Sequence, residues 1–177
     1  MPAELAPLAS ARVSLWRRVV AFAIDFGLVS LLSASLGFGV AAQATVFCLG
    51  WLALRVFVVD RNQGQSLGRW AFDMRVMNAI RGGTPDLLTL TKREGMLAVE
   101  GFLFFVGLTY FSPQNAWVLL LFLPLLVDCG LAYADPDQQQ TLHDQIAKTR
   151  IVRTRRGYSL DSKIKNLVAD VGRRMKK

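Results

Sequence analysis

Four ionisable side chains stand inside long apolar runs of this sequence: Asp25, Arg55, Glu100 and Asp128. A charged side chain at a bilayer centre costs on the order of 2.5–3.5 kcal/mol on insertion scales, so such residues face a protein interior, pair, or line a path for ions or protons. Three acids and one arginine leave an acid excess, to be met by a cation, by protons, or by Arg17 and Arg18 at the edge of the first apolar run. Asp25 lies seven residues after Arg18. Seven residues make about two helical turns, or roughly 10 Å, which puts both on one side of a helix. Arg18 and Arg55 are therefore the expected partners of Asp25. The four charges are expected at one depth, about 7–10 Å inside the cytoplasmic boundary. Two chemistries follow: a structural set of ion pairs that keeps helices in register, or a cation- or proton-linked transport site.

The elements that must position these charges are apolar segments. Of the 177 residues 53% are hydrophobic, and the mean hydropathy is +0.33. Four segments reach the length of a membrane span, about 17–25 residues: about 16–38, 40–59, 95–111 and 116–133. Ser112-Pro-Gln-Asn115 breaks the last two apart. Pro124 removes a backbone donor and is expected to kink the fourth helix one turn before Asp128. Ala23, Gly27, Ser30 and Ala34 give the first helix a small-residue face suited to close packing.

The 21 basic residues fall in blocks. Three precede residue 19, six lie between Arg61 and Arg93, eleven follow Tyr133, and Arg55 stands alone. The short connections near 37–39 and 112–115 hold none. By the positive-inside rule, both termini and the central loop are cytoplasmic. The expected fold is an all-α integral membrane protein, with four transmembrane helices arranged as two hairpins. Its parts are an N-terminal arm (1–14), a membrane domain (15–153) and a basic tail (154–177). An acid in the first apolar run argues against a cleaved leader. The net charge of +8 follows this topology, so nucleic acid is not an expected partner.

The central loop carries Trp70, Phe72, Met74 and Met77, which predict a short interfacial helix or strand-like piece. In the tail, Leu160, Ile164, Leu167, Val168 and Val171 predict an amphipathic helix flanked by lysines and arginines. Its expected partner is anionic lipid or a membrane protein. Cys48 and Cys129 read as two small buried thiols with no disulfide framework. Gly82-Gly83 and Gly37-x-Gly39 lack phosphate-loop or dinucleotide context, the lone His143 has no metal partner set, and no cofactor or catalytic residue is expected.

Three stretches resemble the RDD-domain family of membrane proteins. They are Arg18 with Asp25, Gly64-Gln-Ser-Leu67-Gly68-Arg69 followed by Arg75-Val76, and Leu142-His143-Asp144 with Lys148-Thr149 and Ile151-Val152. The resemblance runs from about residue 12 to 153. It implies that Arg18, Asp25 and Asp144 are the name-giving residues, that Asp144 meets Arg69 or Arg75, and that the chain has a transport role. The family often has lysine where this chain has Arg69, which keeps the charge and changes the geometry. On this basis the chain is expected to be a non-enzymatic protein of a bacterial inner membrane. It would act as an oligomeric transport component or as an accessory subunit of a larger complex.

Overall fold

The structure, a computed structural model, describes residues 13–35, 39–134 and 139–154, together with 160 and 163. The N-terminal arm up to residue 12 and the tail stripe, apart from Leu160 and Lys163, lie outside the described residues. Eight elements follow in order: α1 (Leu15–Ser35), α2 (Val40–Arg61), α3 (Leu67–Ala71), β1 (Met74–Asn78), α4 (Leu87–Tyr110), α5 (Pro113–Ala134), α6 (Leu142–Ile146) and β2 (Thr149–Arg153).

Among the described residues α1, α2 and α5 are long and apolar enough to cross a membrane. Helix α4 is long enough too, but it starts before the expected Gly95 and takes Lys92, Arg93 and Glu94 into its helical turns. Asp86 caps it by accepting a hydrogen bond from Thr89 N at 3.3 Å. Its buried residues include Leu90, Glu94, Leu97, Gly101 and Phe105, a helical stripe in which one position is a carboxylate.

The apolar core lies where α1, α2, α4 and α5 meet. Val29, Phe47, Trp51, Leu97, Ala98, Phe105 and Leu125 are buried there together. Phe47 stacks on Trp51 with ring centroids 5.8 Å apart. The buried stripe of α1 is Ala21, Asp25, Val29 and Ser33, not the small-residue face. Ala23 and Ala34 are exposed, and Gly27 and Ser30 are half-buried.

Three local departures matter. Residues Ala53–Phe57 of α2 are wound as a π-helix around Arg55; such one-turn bulges re-aim the side chains they carry. Helix α5 is 3-10 wound over Pro113–Phe122 and becomes α-helical at Leu123. The expected kink is therefore a change of winding: the Leu120 carbonyl, denied a donor by Pro124, accepts from Leu123 N instead. Finally, the fold is not all-α, because β1 and β2 form an antiparallel two-stranded sheet with Val76 opposite Ile151. The central loop is thus a short helix and a strand that pack inward. Phe72, Met74 and Met77 are buried, and only Trp70 of the expected pattern is exposed. Cys48 is half-buried, while Cys129 is exposed, against the expected pair of buried thiols.

Candidate functional site

The candidate site is a buried ion network where the two strands and the short helices meet the ends of the long ones. Asp25 is fully buried on α1. Its Oδ1 accepts from Gly68 N at 2.8 Å, and its Oδ2 accepts from Ser66 Oγ at 2.6 Å. Arg55 Nη1 completes the set at 3.3 Å. Of the two partners expected for Asp25, the structure brings Arg55. Arg18 points elsewhere, to the carboxylate of Asp144 and the carbonyl of Gln139.

Two glycines let α3 reach Asp25. A Cβ at Gly68 would stand 2.8 Å from the Ala21 carbonyl carbon and closer still to its oxygen. No residue larger than glycine allows that approach of α3 to α1. Gly64 has φ +89°, and a Cβ there would stand 2.5 Å from Val76 O. Its carbonyl accepts from Val76 N at 2.8 Å, which ties the loop to β1. Ser66 also caps α3 through Arg69 N.

Glu94 is the hub. Arg55 Nε lies 2.8 Å from its Oε2 and Arg69 Nη2 lies 2.8 Å from its Oε1, while Arg93 Nη1 donates to Oε1 as well. Three guanidinium groups surround this one buried carboxyl and compensate its charge. Arg69 is the least compensated of the three. Burial and then Arg55 push it down to about 9, and its Nη1 has no hydrogen-bond partner. It remains charged at neutral pH.

Asp144 on α6 meets neither Arg69 nor Arg75. It pairs with Arg93 Nη2 at 2.8 Å and with Arg18, and it accepts from Thr149 Oγ1 at 3.2 Å. Burial opposes its ionisation, yet the Arg93 and Arg18 guanidinium groups hold it below the carboxylate range. His143 is buried. Arg93 Nη2 lies 3.1 Å from its Nε2. A guanidinium only donates, so Nε2 accepts and the ring proton sits on Nδ1. That Nδ1–H donates to Asp128 Oδ2 at 2.5 Å, and His143 N donates to Asp128 Oδ1 at 2.9 Å. Thr141 Oγ1, 2.9 Å away, donates to Nε2. Burial and then Arg93 lower the pKa of His143, so the ring is neutral.

The four expected charges therefore do not form one slab. Asp25 and Arg55 join the arginine network, and Asp128 joins it through His143. Glu100 is buried, and its Oε2 has no partner. Four arginines (18, 55, 69, 93) face four carboxylates (25, 94, 128, 144). Glu94 and Arg93 were not among the expected site residues. The signal was present in the period of Leu90, Glu94, Leu97 and Gly101, which puts the acid on the buried stripe.

The network fixes the pH dependence of stability. The folded pKa of Asp144 is depressed, so its contribution is present above its unfolded value and is lost as pH falls towards the folded one. His143 is also depressed, so below about pH 6.5 the unfolded chain takes up a proton that the folded one refuses. Both act in one direction. The melting temperature of detergent-solubilised protein is expected to fall steadily from pH 7 to pH 4. His143→Gln is expected to flatten the upper part of that fall. A melting temperature that rises on acidification contradicts the assignment.

The model of the RDD family matches residues 12–148. No curated protein and no solved structure matches the chain. The matched range holds every arginine and carboxylate of the network and ends just before Thr149.

Proposed function

The chain belongs to the RDD family, and from that premise we propose that it is a proton-linked transport component of a bacterial inner membrane, acting as an oligomer. In this reading α4 is a span as well, the third of four in chain order, and both termini and the two-stranded sheet are cytoplasmic. The distribution of the basic residues supports that orientation. Four spans are few for a translocation path, which is why the reading needs more than one copy.

One observation carries the transport reading. The other buried acids in or beside the apolar segments have a basic or hydrogen-bonding partner, and Glu100 Oε2 has none. Asp128 stands on α5, which packs against α4, and it is hydrogen-bonded to His143. An ionisable group left unpaired at membrane depth is, by default, a place where a proton or cation binds. Glu100 takes the proton, and Asp128 with His143 connects it to the cytoplasmic face. No bond to carbon or phosphorus is made, and the protein is not an enzyme.

The test is proton flux in vesicles containing the purified chain. Glu100→Gln is expected to abolish acidification of the lumen while the melting temperature stays at the wild-type value, because no ion pair is broken. Unchanged flux sinks the reading.

A second reading has its own observation. The small-residue face of α1 is left open: a Cβ at Gly27 meets nothing within 4 Å. That favours an accessory subunit that docks another membrane helix there. A stable hetero-complex without flux activity selects it.

A further inference from the structure

We propose that Arg75 and Arg150, half-buried neighbours on the two-stranded sheet, bind the phosphate of an anionic phospholipid between them. The inference rests on membrane association and not on the transport reading.

Side chains alternate along a strand, so Met74, Val76 and Thr149, all fully buried, mark the face that packs on the protein. Met74 packs with Val13 and Ala21, and Val76 with Val59 and Leu90. Arg75, Met77, Arg150 and Val152 stand on the other face, where Met77 and Val152 are buried as well and the two arginines reach its margin. Arg75 is opposite Val152 and Met77 is opposite Arg150, which makes the two arginines diagonal neighbours, roughly 7–8 Å apart at their bases. Both are half-buried. The Nε of each is closed to water and has no hydrogen-bond partner. Arg18, Arg55, Arg69 and Arg93 all pair with carboxylates. Arg75 and Arg150 have no such pair among the described residues.

Two like charges held side by side, partly dehydrated and without an acid, call for an anion from outside. The guanidinium fork matches phosphate oxygens in bidentate fashion. The surroundings identify the source as lipid. The sheet sits at the ends of the apolar helices. The connection from β1 to α4 exposes Ile80 at 73%, and α4 opens with Leu88 exposed at 64%. Such side chains insert beside headgroups, and a basic group next to them holds an anionic lipid. A free phosphate would use the arginines and leave these apolar residues without a role.

The test is native mass spectrometry of the full chain in mild detergent, titrated with phosphatidylglycerol and with phosphatidylcholine of the same acyl chains. The wild type is expected to retain phosphatidylglycerol preferentially. Arg75→Gln and Arg150→Gln, made singly and together at unchanged melting temperature, are each expected to weaken that retention by about tenfold, the effect of one charge-assisted hydrogen bond. Excess inorganic phosphate is expected to leave the lipid complex intact. Equal retention of the two lipids by the wild type, or full retention by both single variants, overturns the proposal. Displacement by inorganic phosphate, or by an acidic peptide, reassigns the site and overturns the lipid.

Discussion

Glu94→Gln is expected to destabilise the solubilised protein by about 3–5 kcal/mol, the usual cost of stranding buried charge by deleting its partner. The change keeps volume and shape, so no cavity contributes. What it removes is the single negative charge shared by Arg55, Arg69 and Arg93. Asp25 still meets Arg55 and Asp144 still meets Arg93, but Arg69 is left with no carboxylate, fully buried beside two other guanidinium groups. The loss should therefore be recovered in part by neutralising Arg69. Arg69→Met in the Glu94→Gln background is expected to raise the melting temperature, whereas the same change in the wild type lowers it. That reversal is a coupling that a double-mutant cycle reads directly. A Glu94→Gln loss under about 1 kcal/mol would put the pairs in the class of exposed surface salt bridges and contradict their burial.

The parts of this arrangement that the sequence displayed are those in which a charge interrupts an apolar run. Asp25, Arg55, Glu100 and Asp128 stand out in that way, and Asp25 with Arg55 pairs as helix depth suggests. What the sequence concealed has two physical causes. The first is that a charge beside an apolar run reads as the edge of the membrane, so Arg93 and Glu94 read as the end of a loop, although their partners are internal and the helix runs through them. The second is distance along the chain. Arg18 and Asp144 are 126 residues apart, and the nearer carboxylate, two helical turns away, reads as the partner of Arg18. The sheet is hidden for the same reason. Met-Arg-Val-Met-Asn and Thr-Arg-Ile-Val-Arg are each five residues long, too short to declare a strand until they are paired. The glycines at 64 and 68 were legible as a motif, but their purpose was not, since it depends on the backbone of Val76 and of Ala21.

Gly68→Ala is expected to destabilise the protein by more than about 3 kcal/mol, and its sign separates local preference from tertiary contact. Gly68 lies inside α3, where alanine is intrinsically better than glycine by up to about 1 kcal/mol. Judged locally, the substitution stabilises. In the fold its methyl group would overlap the Ala21 carbonyl, and main chain cannot swing aside as a side chain can. Relief requires α3 to move away from α1, at a cost of about 1–3 kcal/mol for overpacking. The same movement withdraws Gly68 N and Ser66 Oγ from Asp25. Hydrogen bonds to a buried carboxylate are worth about 1.5–3 kcal/mol each, so the two losses outweigh the gain in propensity. Asp25 is tolerated in an apolar helix because α3 and Arg55 together solvate it, and Gly68 is the residue that admits α3. Gly68→Ala and Asp25→Asn should accordingly be less than additive, because each removes the other's contact. The measurement is the melting temperature of both single variants and the double variant in mild detergent. A Gly68→Ala protein as stable as the wild type, or strict additivity with Asp25→Asn, would show that α3 does not hold Asp25 in place.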